Sequence, residues 1–377
     1  MESFQLTKNW LMNSGIFISE PSDSDFGAVH SFYDEKNEKF AFLYPEITGY
    51  YSSAMRFLYE HEQNQQFLKN SKASCDWLIK IFKEYDGIIQ GISPDGIPNK
   101  FVYSFDTGIC AKGMFDCFSI TKDQKYLDFG IKLNQWIIDE ALEPNGKIKS
   151  VKNLSTQKFE DDESVWYKRS GCLHIKLIIP LLQQFQLTGD SSLLNHVTNI
   201  GETLSEYQNS DGSILLHSDS NVINLHTMSY ALEGLIWLYM ETKDQKYLDS
   251  FKKALLWCDT QIQNDGSIDL WHNSKYHSKS SYPISQIVRL KLLLAKIENQ
   301  QLDEIIQKLK SFLLSLQSNS DIQQSNGGFY EEFSKSILGW KKTLKLNSWG
   351  TMFSLQALYW IDNFSEINVE NEYKFLY

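Results

Sequence analysis

Arginine is scarce in this sequence: Arg56, Arg169 and Arg289 are the only three among 36 basic residues in a chain of 377. The formal net charge is −11. A nucleic-acid-binding protein needs a basic surface to neutralise phosphates, and charge-driven attachment to an anionic membrane needs one as well. The composition therefore argues against a nucleic-acid partner and against an electrostatic membrane anchor.

Cysteine is also sparse, with five scattered residues and no CxxC pair. An odd, dispersed number is typical of buried thiols in a reducing compartment. The first residues, MESFQLTKNW, lack the basic segment and apolar run of a secretory signal. The longest apolar stretches, such as ALEGLIWLYM, are too short to span a bilayer. We therefore expect a cytoplasmic protein without a membrane partner. The histidines form no HExxH motif or tight pair, so no metal or cofactor is expected.

One string, TKDQKYLD, occurs twice, at Thr121–Asp128 and at Thr242–Asp249. Each copy stands between an apolar helical stretch and an amphipathic one, and a glycine-containing loop follows. The first aspartate of the string is placed to cap the second helix. Weaker copies of the pattern lie at Glu62–Ile89, Leu187–Ile214 and Ile297–Gln317. The repeat therefore predicts helical hairpins joined by tight polar turns.

The repeat predicts six first helices, near residues 47–60, 106–120, 170–187, 226–241, 283–297 and 348–363. It predicts five second helices, near residues 66–83, 125–141, 191–208, 246–262 and 302–317. The missing sixth partner is expected to be the N-terminal stretch Leu6–Met12. These hairpins predict an all-α fold: an (α/α)6 toroid of six helical hairpins, with the N-terminal helix closing the ring. The toroid would form one domain over residues 1–377, with the first helices inside and the second helices outside.

The long loops of this toroid are predicted near 16–46, 85–105, 142–168, 209–225, 264–281 and 318–347. They lead into the N-termini of the inner helices, where backbone N–H groups and the helix dipole favour anions. Loops on a rigid scaffold commonly carry functional residues. The candidate catalytic residues there are Asp106, Glu46, Tyr167 and His226. The candidate substrate-binding residues are Tyr44, Tyr50, Arg169, His217, Trp271, Tyr276, Trp340 and Trp349.

This set of side chains suits a carbohydrate. Paired carboxylates suit acid–base work at an acetal, and aromatic rings offer flat faces for sugars. Arg169, beside Trp166 and Tyr167, suits bidentate binding of a carboxylate, so we expect an acidic sugar. Simpler roles compete. Asp106 could be an N-cap, Glu46 could interact only with a helix dipole, and Arg169 could pair with an acid such as Glu163.

The segment Phe105–Gly108 resembles the H-D-x-G-F segment of unsaturated glucuronyl and rhamnogalacturonyl hydrolases, which are (α/α)6-barrel carbohydrate-active enzymes. The resemblance implies that Asp106 is an acid–base residue that protonates the vinyl ether of an unsaturated uronyl sugar. Those enzymes carry a second aspartate at the start of the next inner helix. This chain has Tyr167–Ser170 there, with no aspartate.

Polysaccharide lyases and uronyl C5-epimerases with the same barrel remain an alternative. They remove the C5 proton of a uronate with Tyr or His beside a group that neutralises the carboxylate. Tyr44, Tyr50, Tyr167 and His226 could remove the proton, and Arg169 could neutralise the carboxylate. We rank hydrolysis at a uronyl residue first, lyase or epimerase action next, and a non-catalytic glycan-binding toroid after these.

A further likeness concerns two turns, Gln208–Ser213 and Gln263–Ser267. They are similar to structural turns of terpene cyclases and prenyltransferases, which are also α/α toroids. The sequence has neither the Asp-rich acid motif of the cyclases nor an evident Asp/Cys/His zinc set, so isoprenoid chemistry ranks low.

Overall fold

The computed structural model describes residues 2–162 and 165–377. The α-helices in these ranges are α1 (Glu2–Asn13), α2 (Pro45–Glu62), α3 (Gln65–Tyr85), α4 (Ser104–Thr121), α5 (Gln124–Trp136), α6 (Ile178–Thr188), α7 (Leu193–Glu202), α8 (Leu204–Tyr207), α9 (Leu225–Thr242), α10 (Gln245–Gln261), α11 (Ser281–Ile297), α12 (Glu304–Ser315), α13 (Ser348–Asp362) and α14 (Val369–Glu372). A π-helical turn and several 3-10 turns accompany them, at Ile137–Ala141, Trp166–Lys168, Cys172–Leu177, Phe364–Glu366 and Tyr373–Phe375.

The long loops contain short strands that the sequence did not predict. They are β1 (Phe32–Asp34), β2 (Lys39–Phe40), β3 (Ile89–Ile92), β4 (Pro98–Tyr103), β5 (Val151–Asn153), β6 (Lys158–Glu160), β7 (Ile223–Asn224), β8 (Trp271–His272), β9 (Ser278–Ser280), β10 (Glu332–Ser336), β11 (Gly339–Lys342) and β12 (Lys345–Asn347). The pairings β3–β4–β5–β6, β9–β10–β11, β7–β8 and β1–β12 are antiparallel. Most of these strands are too short to show a period-two pattern in the sequence.

The chain divides into two compact units. The N-terminal unit comprises Phe17–Ser31, Phe40–Leu204 and Tyr377. The C-terminal unit comprises Met1–Ile16, Phe32–Lys39 and Ser205–Leu376.

The N-terminal unit contains three helical hairpins: α2 with α3, α4 with α5, and α6 with α7. Every residue of α4 from Ser104 to Cys117 is buried, as expected of an inner helix enclosed by its neighbours. The outer helices α3 and α5 bury one face only.

The C-terminal unit also contains three hairpins: α9 with α10, α11 with α12, and α13 with α1. The N-terminal helix α1 is the outer partner of α13, since the rings of Phe4 and Tyr359 lie 5.3 Å apart. The amide of Gln317 donates to the Ser3 carbonyl oxygen at 3.0 Å, and the Trp10 indole donates to the Gln324 carbonyl oxygen at 2.8 Å. The prediction that the first helix of the chain completes the last hairpin is confirmed.

The predicted (α/α)6 arrangement is confirmed, with one change in the third inner helix. This helix was predicted from residue 170, but it begins as the 3-10 turn Cys172–Leu177 and becomes α-helical only at Ile178. Pro180 is the reason, because its ring would clash with the carbonyl of Lys176 four residues earlier in an α-helix. The assignment of all 377 residues to one domain stays a prediction. None of the described helices combines the length and apolar character needed to cross a bilayer.

The two copies of TKDQKYLD form the same turn in both units. Asp123 accepts a hydrogen bond from the Lys125 backbone N–H at 3.2 Å, and Asp244 accepts one from that of Lys246 at 3.1 Å. The lysine before each aspartate has a positive φ, 58° in one copy and 56° in the other. Each of these lysines ends the preceding helix in the left-handed conformation. The repeated string is therefore a C-cap followed by an N-cap, and the sequence predicted the N-cap aspartate but not the C-cap lysine.

Replacement of either capping aspartate should cost the same stability. We expect Asp123→Ala and Asp244→Ala each to lower the free energy of unfolding by about 1 kcal/mol, measured by urea denaturation. Asp128→Ala and Asp249→Ala are matched controls, since each aspartate lies in the same string, is exposed, and accepts from a glutamine side chain rather than from a helix N-terminus. The controls should cost less than about 0.5 kcal/mol. An equal loss in controls and caps would contradict the capping role.

Candidate functional site

Two glycines bring the inner helices α2 and α4 unusually close together. A Cβ on Gly113 would lie 2.7 Å from the Gly49 carbonyl oxygen, and a Cβ on Gly49 would lie 3.0 Å from the Cys110 Cα. The Cys110 thiol donates to the Pro45 carbonyl oxygen at 3.3 Å. The first turns of the two helices are therefore neighbours. Those turns carry the two carboxylates that the sequence singled out.

Glu46 and Asp106 are both buried, with exposed fractions of 7% and 4%. Burial raises the pKa of Glu46 to about 7, against a hydrogen bond from Tyr44 and the charge of Lys176, which act to lower it. Burial, followed by the charge of Glu46, raises the pKa of Asp106 well above its usual value. The Asp106 Oδ2 atom has no hydrogen-bond partner within the described chain. Burial beside a second carboxyl therefore favours the protonated, neutral form of Asp106.

The N-cap of α4 is Tyr103, so the alternative prediction of Asp106 as an N-cap is wrong. Asp106 is the third residue of the helix rather than the residue before it. Glu46 does lie in the first turn of α2, where the helix dipole favours its ionised form. Burial opposes this and is the larger effect, since the pKa is raised.

Lys176 is a member of this cluster that the sequence analysis missed. It lies in the 3-10 turn before α6 and is fully buried. Its ammonium group donates to the Tyr50 hydroxyl at 3.1 Å and lies 4.8 Å from the centre of that ring. After the hydrogen bond from Tyr44, the positive charge of Lys176 is the second influence that favours the ionised form of Glu46 and acts to lower its pKa. In the sequence Lys176 is a single lysine within an apolar stretch, and nothing there indicates that it lies close to Glu46.

Tyr103 connects the carboxylates to the third loop. Burial and then the charge of Asp106 raise the pKa of Tyr103, and its ring lies 6.1 Å from that of Tyr167. Tyr167 is exposed. The Nε atom of Arg169 lies 3.7 Å from Oδ1 of Asp161, with 20% of the Arg169 side chain exposed. Glu163, the other acid considered for Arg169, lies outside the described residues.

In the C-terminal unit, His226 begins a second polar cluster at the first turn of α9. Its Nδ1 atom lies 2.6 Å from the Gln286 Oε1 atom. The rings of Tyr230 and Tyr282 lie 4.2 and 4.6 Å from the imidazole. Trp349 continues this aromatic group, with its ring 5.9 Å from that of Tyr282. His226 and Trp349 therefore belong to one group of side chains, as candidate site residues should.

A fully buried ion pair lies behind His226. Arg289 donates to Glu233 at 2.6 Å, and both side chains are 0% exposed. Gln286 also donates to Glu233, at 3.3 Å, and Gln356 accepts from Arg289 at 2.8 Å. The sequence did offer one indication of this pair, because Arg289 is one of only three arginines in the sequence.

The remaining candidates lie on the loops of the C-terminal unit. His217 is buried, whereas Tyr276 and Trp340 are exposed. The rings of Trp271 and Tyr276 lie 6.1 Å apart, and the Lys279 ammonium lies 4.9 Å from the Trp340 ring centre. The role of each in substrate binding stays a prediction. Among the described residues no three His, Cys, Asp or Glu side chains are grouped so as to hold a metal ion.

The chain is similar in structure to several solved sugar-processing enzymes. With the cellobiose 2-epimerase of Bacillus thermoamylovorans it shares 12% identity at a TM-score of 0.74, over 97% of this chain and 100% of that one. With an unsaturated glucuronyl hydrolase of a Bacillus species it shares 12% identity at a TM-score of 0.69, over 95% of this chain and 97% of that one. With a D-mannose isomerase it shares 10% identity at a TM-score of 0.73, over 95% of this chain and 96% of that one. The similarity extends over nearly the whole chain, and it shows the (α/α)6 fold.

No protein-family profile matches this chain, and no curated protein sequence does.

The raised pKa of Glu46 predicts a pH-dependent stability. Between pH 4.5 and about 7 the folded protein binds more protons at Glu46 than the unfolded chain does. The free energy of unfolding therefore falls as the pH rises through this window. Glu46→Gln removes this loss, so the variant should gain stability relative to wild type from pH 5 to pH 8, by up to about 3 kcal/mol.

Denaturant unfolding at several pH values measures this difference. Glu160→Gln is the control with the opposite sign, because a hydrogen bond from Asn153 lowers the pKa of Glu160. Below the unfolded value of 4.5, Glu160 ionises first in the folded protein, so the stability of Glu160→Gln relative to wild type should fall as the pH rises towards 4.5 and stay constant above it. Parallel behaviour of the two variants would contradict the predicted pKa shift of Glu46.

Proposed function

We propose that this protein is a carbohydrate-active enzyme that hydrolyses an oligo- or polysaccharide at a uronyl residue, with Asp106 as the general acid. The observation that carries the proposal is the pair of buried carboxyls with raised pKa values at the starts of α2 and α4. A carboxylic acid that stays protonated at neutral pH is the group that general acid catalysis needs. The fold, shared with an unsaturated glucuronyl hydrolase, supports this choice.

The proposed reaction is hydration of the vinyl ether of an unsaturated uronyl sugar. Asp106 gives its proton to C4 of the C4=C5 double bond, and positive charge develops on C5 and the ring oxygen. Water adds to C5 and returns a proton to the Asp106 carboxylate. The resulting hemiketal opens, and the glycosidic bond breaks. The net change is the addition of one water molecule.

Glu46 is the proposed second carboxylate in this scheme. Lys176 favours its ionised form, and an ionised Glu46 beside Asp106 keeps the Asp106 proton in place until it is transferred. The anion also stabilises the positive charge that develops on the sugar. This arrangement does not need the second aspartate that the resembling hydrolases have at the next inner helix.

Base-catalysed proton abstraction by His226 is the second candidate. The contact of its Nδ1 atom with Gln286 is the specific observation that favours it, because a histidine base needs a fixed ring orientation. An epimerase or lyase would remove the C5 proton of a uronate. The similarity to epimerases and a D-mannose isomerase is consistent with proton abstraction at carbon. A non-catalytic glycan-binding toroid is the third possibility.

Asp106→Asn should lower turnover of an unsaturated uronyl disaccharide by at least about 100-fold, because it removes the transferable proton while keeping the side chain's size. The assay follows loss of the ultraviolet absorbance of the double bond. Asp128→Asn, an exposed aspartate on α5, is the matched control and should keep full activity.

The same experiment separates the alternatives. A lyase would increase the absorbance with an intact uronan, and an epimerase would incorporate deuterium at C5 from heavy water without an absorbance change. Thermal stabilisation by the sugar without turnover would indicate a binding protein. Unchanged turnover by Asp106→Asn would refute the acid role.

Acidic sugars should stabilise the protein against heat more than neutral sugars of equal length. We expect Arg169→Ala to abolish this difference, because a guanidinium on this partly exposed side chain can bind a carboxylate. Asp161→Asn is the matched control, since it removes one negative charge beside Arg169 and keeps the cation. Equal stabilisation by both classes of sugar, or an Arg169→Ala variant that behaves as wild type, would argue against a uronate clamp at this residue.

A further inference from the structure

A chain of hydrogen bonds leads from a buried arginine to the edge of His226. Arg289 on α11 donates to Glu233 on α9 at 2.6 Å, and Gln286 donates to the same Glu233 oxygen at 3.3 Å. Gln286 then presents its Oε1 atom to the His226 Nδ1 atom at 2.6 Å. Arg289, Glu233 and Gln286 are all fully buried, whereas His226 is only partly buried.

The position of Arg289 is fixed on several sides. Its Nη1 atom donates to Gln356 at 2.8 Å, and the guanidinium carbon lies 4.5 Å from the centre of the Phe353 ring. Arginine remains protonated under all conditions in which a protein is folded. Its partner Glu233 is therefore an anion, because a buried guanidinium requires a compensating charge.

The anion at Glu233 determines which way the Gln286 amide faces. The observed orientation directs the amide NH2 group to the carboxylate. The flipped orientation would place the amide oxygen against an anionic oxygen and lose that hydrogen bond. The Oε1 atom must therefore face His226, where it can only accept.

A short contact between Nδ1 and an accepting oxygen requires a proton on Nδ1. We propose that the Arg289–Glu233–Gln286 chain holds neutral His226 as its Nδ1–H tautomer, so that the Nε2 atom carries the lone pair and is the proton acceptor of this cluster. Gln286 and Glu233 are then positioning residues, which act on a substrate only through His226. The catalytic use of Nε2 rests on the second candidate function above, but the tautomer does not.

A glutamine in this place has a chemical consequence. When Nε2 takes a proton from a substrate, the imidazolium keeps its Nδ1–H bond to Gln286. The neutral amide does not accept that proton, whereas a carboxylate in the same place could. The charge of Glu233 therefore orients the ring through an amide, and the proton taken from the substrate stays on His226.

The tautomer can be measured directly by two-bond ¹H–¹⁵N correlation spectra of the full chain labelled with ¹⁵N-histidine at a pH where imidazole is neutral. His226→Asn identifies the signals. We expect wild-type His226 to show a protonated Nδ1 and an unprotonated Nε2. Gln286→Met removes the acceptor with little change of size, and the Nε2–H form should then appear. Glu233→Gln removes the charge that orients the amide, and both tautomers should be populated.

Gln356→Met is the matched control. It removes a buried hydrogen bond of Arg289 but leaves the chain to His226 intact, so its His226 signals should match those of wild type. An Nε2–H tautomer in the wild-type protein would overturn the proposal, and so would an Nδ1–H tautomer that persists in Gln286→Met. If neither Gln286→Met nor Glu233→Gln folds, the wild-type spectrum still decides, because the proposal requires the Nδ1–H tautomer there. Absence of turnover on every sugar would refute the proposed function and leave this measurement unaffected.

Discussion

The enclosure of the inner helices is the constraint on which the rest of this structure depends. Every residue of α4 from Ser104 to Cys117 is buried, and so is every residue of α9 from Thr227 to Leu238. A charged group at such a position loses its hydration, which costs several kcal/mol unless a partner compensates. Each buried charge in these helices must therefore have a partner, change its protonation state, or lie at a helix end.

Asp116 shows the first solution. It accepts hydrogen bonds from Arg56 at 2.6 Å, Lys112 at 2.7 Å and Gln183 at 2.6 Å. Burial acts to raise the pKa of Asp116, but the charges of Lys112 and Arg56 outweigh it and leave the pKa below its usual value. Asp106 shows the contrasting solution ten residues earlier in the same helix, where burial and the nearby Glu46 raise the pKa of the carboxyl and so favour its neutral form. Position along one helix thus separates a structural carboxylate from a candidate acid.

The helical hairpins could be predicted from the sequence because turn chemistry and helix periodicity are local properties. The capping aspartates of the two identical strings, and the apolar stretches on either side, contain enough information to place the turns. The loop strands could not be predicted in this way, because a pairing such as Phe32 with Asn347 depends on residues far apart in the chain. The start of the third inner helix depended on a single proline, Pro180, whose effect acts four residues upstream.

The candidate site was predictable in part for the same reason. Glu46, Asp106 and His226 lie next to recognisable helix starts, so the hairpin pattern predicted that each lies in the first turn of an inner helix. Lys176 and Gln286 lie within apolar stretches, where the sequence shows a polar residue but not its partner. Their roles follow only from the tertiary contacts with Tyr50 and His226.

The repeated hairpin supplies the same position several times, and different side chains occupy it. The second or third residue of an inner helix is Glu46 in α2, Asp106 in α4 and His226 in α9. Tyr44 and Tyr103, the N-cap residues of α2 and α4, make no side-chain capping bond, whereas Asn224 caps α9 through its side chain. At both helix starts without a side-chain cap, a buried carboxyl lies in the first turn, where the helix dipole favours its anion. The proposed acid role of Asp106 uses this position, because the dipole favours the anion that forms when the proton is transferred.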